Sequence, residues 1–350
     1  MNKIKRDVLI CCTTEVLSIL GEDKPSAEIT AESLVFADAR GISTHGTYLL
    51  TPIANRVKQG QLILPTRITT VKENSAVAVF DGGNGMGAVA GKMAVDLCIK
   101  NAKSYGISLV LIRNTNNMGA LAFYTEKIAR EGMIAIMGCN AAPAMAPWGG
   151  AEAFLGTNPF AIAIYTGQEM LFSADMATSI VARGKIRKAA REGKTIPDSW
   201  ALDSEGNLTT SPLEALKGAL LPMGGPKGSA IALAIDILSG LVSGSSHAPD
   251  IKSFHTLDGV TGVGAFFIAI DIEKFMPLND FAASMDQYIC KIKGMKKAGF
   301  TSEIFIPGEI EYRKELQSRE SDISLDEKTC EVINSILAEN GVHERLGLMT

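Results

Sequence analysis

A chain of 350 residues, 46% hydrophobic and 21% charged, has the length and balance of an enzyme-sized globular protein with a large core. Its net charge of −4 argues against a surface built for the nucleic-acid backbone, and no apolar run approaches the roughly 20 residues that a membrane-spanning helix needs. Six scattered cysteines without a Cys-x-x-Cys pair suit reduced core thiols, and the N-terminus lacks the pattern of a signal peptide. The expectation is a cytoplasmic protein with no metal and with neither nucleic acid nor membrane as partner.

Apolar residues at helical spacing predict three helices first: 3–20, ending at Gly21; 27–38, ending near Gly41; and 46–58, ending at Gly60. Between the last two lies Ala37-Asp38-Ala39-Arg40-Gly41-Ile42-Ser43-Thr44-His45-Gly46. His45 is one of four histidines, the side chain whose ordinary pKa of about 6.5 allows proton exchange at neutral pH. At the start of the third helix it would stand where outward-pointing amides favour an anionic group. A Thr44 cap followed by an ordinary exposed histidine has the same sequence signature.

From residue 68 the period changes. Strands are predicted at 76–80, 107–112 and 133–137, with helices at 91–105 and 121–131 between them. Residues 160–165 and 170–174 read as a hairpin around Thr166-Gly167-Gln168-Glu169. A helix at 182–191, Gly- and Pro-rich loops up to 228, a helix at 230–241 and a strand at 265–271 follow. Helices at 278–293 and from 325 complete the chain, the last with Ser324 and Glu327 as a capping box. Hairpin strands among helices define the class as α+β: a helical unit, 1–65, with the helices of 278–350 expected to pack on it, and a mixed α/β region, 66–277.

Gly85-Met86-Gly87-Ala88-Val89-Ala90 matches the Gly-x-Gly-x-x-Ala dinucleotide fingerprint between a predicted strand and helix. The acidic ribose anchor expected about 20 residues on is missing; the next strand ends at Arg113-Asn114. An arginine there could accept a 2′-phosphate, so a Rossmann unit specific for NADP stays open beside a close-packed glycine turn.

Taken in order, several segments resemble the malate/L-lactate dehydrogenase family of NAD(P)-dependent oxidoreductases. They are Asp38-Ala39-Arg40-Gly41-Ile42 through His45-Gly46, Asp81-Gly82-Gly83-Asn84-Gly85-Met86-Gly87, Pro147-Trp148-Gly149-Gly150, Gly156-Thr157-Asn158-Pro159, Asp175-Met176-Ala177-Thr178-Ser179, Gly224-Gly225-Pro226-Lys227-Gly228 and Ile306-Pro307-Gly308-Glu309. The resemblance covers nearly the whole chain. It implies a mixed-sheet nucleotide-binding domain unlike the Rossmann fold, similar to sulfolactate dehydrogenase, and a homodimer. It also implies NAD or NADP as cofactor, contacted by Asp175, Met176, Ala177, Thr178, Pro226, Lys227, Pro307, Gly308 and Glu309. The residue types agree: a strand running into small and hydroxyl residues ahead of a helix, and a lysine in a glycine loop, both suit a ribose or phosphate.

The substrate side departs from the family. Leu49 stands where members carry an arginine four residues past the histidine, taken to grip the substrate carboxylate. Asn117 stands where they carry a second histidine, and Ala265 where a third often lies; Thr44 replaces the serine before His45 and keeps its hydroxyl. Asn117 cannot exchange a proton near neutral pH. His45 is thus the expected catalytic residue, with Thr44, Tyr48, Leu49 and Asn117 around a small-molecule substrate, and lactate and malate are expected to be poor substrates. The expected activity is hydride transfer between nicotinamide and the C=O/C–OH or C=N/C–N group of a small metabolite. The alternatives are a cyclic imine reductase that does without the second histidine, and a catalytically impaired cofactor-binding scaffold.

Overall fold

The computed structural model describes residues 2–343 and 345–347. Residues 1, 344 and 348–350, which belong to the expected terminal segments, lie outside the described residues. A short strand, β1 (Asn2–Ile4), leads into α1 (Arg6–Ile19) and α2 (Lys24–Ala39). Helix α2 starts three residues before its predicted position because Asp23 caps the Ser26 N–H, with Pro25 in the first turn.

The third helix is shorter than predicted. Residues 43–45 and 47–49 form two 3₁₀ turns separated by the extended Gly46, and α3 (Leu50–Lys58) begins only after them. The buried Asp38 carboxylate takes both the Thr47 N–H (2.8 Å) and the Thr47 hydroxyl (2.7 Å), diverting the backbone from an α-helical path. His45 therefore does not stand at an α-helix N-terminus.

The sheet is built from β2 (Thr69–Asn74), β3 (Val77–Asp81), α4 (Gly87–Tyr105), β4 (Ile107–Thr115), α5 (Ala122–Ala129), β5 (Met133–Cys139), β6 (Phe160–Ile164) and β7 (Phe172–Met176). Next come α6 (Arg183–Glu192), α7 (Pro212–Lys217), α8 (Pro226–Asp236) with a π-helical continuation to Val242, and β8 (Val263–Asp271). The seven strands run in the order β2-β3-β4-β8-β5-β6-β7, and only β3 and β4 are parallel. That excludes a doubly wound parallel sheet and leaves the α+β class. Strand β8, late in the chain yet central, is apolar on both faces: Val263, Ala265, Phe267 and Ala269 pack with α4 and α5, while Phe266 and Ile268 pack with Ile235 and Leu238.

The fingerprint turn is a packing device. A Cβ on Gly87 would lie 2.4 Å from the Asn117 carbonyl oxygen, and one on Gly85 would lie 2.6 Å from the Thr66 side chain. Arg113, a possible 2′-phosphate ligand by sequence, instead donates to Asp81 at 2.9 Å.

Helix α9 (Leu278–Lys293), α10 (Glu309–Ser321), β9 (Ile323–Leu325) and α11 (Glu327–Glu339) end the chain. Strand β9 pairs antiparallel with β1, and Cys330, Ile333 and Leu337 join the apolar cluster of Leu9, Val16 and Leu34. Asp326, not Ser324, caps α11, accepting from the Thr329 N–H at 3.0 Å, because Ser324 is held in β9. Leu278 and Ala282 of α9 lie against Gly132 and Gly167 at the ends of β-strands.

Candidate active site

His45 occupies the first 3₁₀ turn, half-buried, with Nδ1 3.0 Å from the Thr44 hydroxyl. A hydroxyl that donates to Nδ1 leaves the ring proton on Nε2, and one that accepts from Nδ1–H suits the imidazolium, so Thr44 serves either protonation state. Burial holds the His45 pKa below the usual histidine value, and repulsion from His255 adds to the shift. The turn is fixed from beneath. A Cβ on Gly46 would fall 1.8 Å from an Asp38 oxygen, so only glycine lets the chain sit on that carboxylate. Burial lifts the Asp38 carboxyl to about 6, against the pull of its two bonds to Thr47.

Arg40, which sequence could pair with Asp38 at the helix end, turns elsewhere. Its guanidinium, 3% exposed, donates to Glu126 of α5 (Nη2, 2.8 Å) and to Glu315 of α10 (Nε, 2.9 Å). It ties three helices together and is not free to meet a substrate.

Of the expected substrate residues, Leu49 and Asn117 line one cavity of about 30 Å³ together with Met86, Met118 and Phe254. That is room for water, not for a metabolite. Leu49 is 2% exposed and belongs to the core, and the Asn117 side-chain oxygen accepts the Gly119 N–H at 2.7 Å. Thr44 and Tyr48 are exposed beside His45. Sequence reasoning missed His255. Its ring centroid lies 6.4 Å from that of Tyr48, and its charge reaches His45. The loop that carries it has no motif; the scarcity of histidines was the only available signal.

The three expected cofactor segments meet along β7. The Ser173 N–H donates to the Pro307 carbonyl at 3.0 Å, with Gly308 so close that a Cβ there would lie 2.7 Å from the Ser173 carbonyl oxygen. Past the strand, the buried Thr178 gives its N–H and hydroxyl to the Thr157 carbonyl, both at 2.9 Å, and accepts from the Met223 N–H at 2.8 Å. Met223 leads through Gly224 and Gly225, both at positive φ, into Pro226 and Lys227 at the start of α8. Asp175 accepts the Ala122 N–H at 2.9 Å. Desolvation in these surroundings lifts its carboxyl to about 6, against the N–H groups of Ala122 and Leu121, although the residue reaches solvent. Met176 is exposed, and Ala177 half-buried. The Glu309 carboxylate is occupied by Lys293 and Arg313, both at 2.6 Å, and by the Ile306 N–H at 3.0 Å, so it holds its own turn.

This arrangement fits a dinucleotide. Lys227 is exposed and has no ion-pair partner among the described residues, at the positive end of α8 after a glycine turn, and the exposed Trp148 ring lies against Gly225.

A mixed, non-Rossmann sheet with a histidine turn and a glycine-lysine helix start describes a particular class of dehydrogenase. The family model for malate/L-lactate dehydrogenase matches residues 4–334. The L-sulfolactate dehydrogenase of Methanocaldococcus jannaschii is 40% identical over 330 residues, 94% of each chain. The malate dehydrogenase of Pyrococcus horikoshii is 38% identical over 348 residues, 97% of this chain and 96% of that one. The solved structure of the M. jannaschii enzyme superposes with a TM-score of 0.92, covering 97% of this chain and 98% of that one at 38% identity. The chain belongs to the malate/L-lactate dehydrogenase family. It is an NAD(P)-dependent dehydrogenase; relatives 31% and 33% identical are named for NAD(+) and NADP(+) respectively. No helix among the described residues is long and apolar enough to cross a membrane.

Proposed function

We propose that the protein is a cytoplasmic reductase, or dehydrogenase in reverse, acting on the C=O/C–OH or C=N/C–N group of a small metabolite, with His45 as proton donor and acceptor. The observation that carries this reading is the His45 turn: a recessed imidazole bonded to Thr44 and fixed by the Gly46–Asp38 contact. NADH or NADPH, when bound, would supply the hydride, and the oxidised form would accept it in reverse. Asp175, Met176, Ala177 and Thr178, with Pro226, Lys227, Pro307 and Gly308, would hold it, Lys227 reaching a phosphate and Glu309 keeping its turn in place.

His45 gives its proton to the forming alkoxide or amine and regains one from solvent. Tyr48 and Thr44 orient the substrate, and Leu49 and Asn117 form the floor beneath it. A cyclic imine is the second reading, favoured by Asn117: it carries no ionisable proton, its oxygen is committed to Gly119, and an iminium carbon needs less acid catalysis.

A homodimer accompanies this reading. Ile231, Leu233, Ile237, Leu241 and Val242 along α8 and its continuation are all exposed, an apolar stripe suited to a second copy, which light scattering would detect. A thermal-shift panel tests the function, with NADH and NADPH against 2-oxo acids, cyclic imines and neutral ketones. A reduced cofactor and at least one substrate class should raise the melting temperature by mass action. Nucleotide binding with no substrate response in binding or turnover would favour a scaffold, and no response to either nucleotide would overturn the reading.

A further inference from the structure

The loop from Ser253 to Gly259 is held from α3 by an unusual clamp. Arg56, fully buried, donates through Nη1 to the Thr256 carbonyl at 2.7 Å and through Nη2 to the Gly259 carbonyl at 2.9 Å. Gln61 donates to the Leu257 carbonyl at 2.9 Å, and the guanidinium lies 5.5 Å from the centre of the Phe254 ring. Among the described residues no carboxylate is within ion-pair distance of Arg56. Besides the two loop carbonyls, Arg56 Nη1 also donates to the Gln61 side-chain oxygen at 3.1 Å, and Asp258 of the loop is the negative charge that acts on it from beyond contact. A buried cation held by neutral oxygens is costly, so this loop is held in place at the expense of stability.

Held this way, Phe254 closes the cavity of Leu49 and Asn117, and His255 stands beside Tyr48, three residues past His45. Neither ring nitrogen of His255 has a hydrogen-bond partner among the described residues. The charges that face it are Arg187 from α6, Arg56 from α3 and His45. On its own loop, Asp258 is bonded to the Thr256 hydroxyl at 2.6 Å, and Lys252 is exposed. The recess beside Tyr48 is thus faced mainly by cationic groups.

We propose that His255, acting with His45 and fixed by Arg56, binds the acidic group of the substrate. The inference rests on the reading of His45 as a site residue. Two imidazoles within reach of each other's charge resist being protonated together, and an anion between them removes that resistance. Anion binding and proton uptake therefore reinforce each other, and affinity falls as pH rises.

Oxalate, a small rigid dianion, is the probe, and proton NMR of the four imidazoles is the readout, assigned with His45→Gln and His255→Gln. Neither turnover nor cofactor is needed, so a failure here is distinct from a failure of the oxidoreductase reading. Oxalate should raise the titration midpoints of both His45 and His255, and its affinity should fall above them by up to about tenfold per pH unit for each proton taken up. His255→Gln should weaken oxalate about tenfold at pH 6 and let the His45 midpoint rise in the free protein, whereas His343→Gln should change neither. Oxalate affinity unchanged in His255→Gln, or no oxalate binding by the wild-type protein, would overturn the proposal.

Discussion

Replacing Arg40 by Met isolates the ion cluster that joins α2, α5 and α10. The Arg40 side chain is 4% exposed, and its partners Glu126 and Glu315 are 6% and 9% exposed. Removing one partner of a buried pair leaves uncompensated charge and costs roughly 3–5 kcal/mol, whereas replacing the whole set with apolar groups is often neutral. Here Arg6 and Arg319 still reach Glu315 at 3.2 and 3.3 Å, and Arg130 lies 3.8 Å from Glu126, so the lower end, about 3 kcal/mol, is expected. Burial pushes the Glu315 carboxyl up, but Arg40, with help from Arg6, outweighs it and holds the pKa below the ordinary value. The stability it contributes is present above the unfolded carboxylate pKa and lost as pH falls through the folded one, so the Arg40→Met deficit should shrink in acid. Equilibrium urea unfolding at pH 7 and pH 4 measures both effects. Arg40→Met combined with Glu126→Leu and Glu315→Leu should recover to within about 1 kcal/mol of wild type. A single-variant loss under about 1 kcal/mol, or a triple variant no better than the single, would refute the reasoning.

Leu49→Ala should destabilise by roughly 2–5 kcal/mol in the same assay, because the residue is a core side chain beside an existing cavity. Lys227→Ala should raise the Kd for NADH or NADPH about tenfold by fluorescence titration while leaving the melting temperature of the free protein unchanged.

Much of the fold is legible in local pattern, and the failures have identifiable causes. Helices such as α1 and α9 show apolar spacing and clear stops. Strand β2 is exposed at every position and has no alternation to read, and α10 lacks an apolar stripe because ion pairs such as Arg313–Glu303 and Arg40–Glu315 hold it. The central place of β8 depends on pairing with β4 and β5, far away in sequence. At the site, the family motifs locate His45 and the segments that meet along β7. They say nothing of the 3₁₀ turns, which arise when the Asp38 carboxylate takes the Thr47 N–H, nor of His255, which reaches the site only because Arg56 clamps its loop from 200 residues away.

The central claim is that His45 moves the proton, and the turnover of His45→Gln across a pH series tests it most directly. The variant should be slower by about 10²- to 10⁴-fold in the reductive direction, with cofactor affinity nearly unchanged because the proposed nucleotide segments lie elsewhere in the sequence. The wild-type rate should fall as pH rises through the His45 midpoint, since the donor must be protonated. Burial and His255 hold that midpoint below the ordinary value of about 6.5, so the decline should begin on the acid side of it. A His45→Gln variant that keeps most of its activity with an unchanged pH profile would contradict the account and assign the proton to Tyr48, water or a substrate already protonated as an iminium.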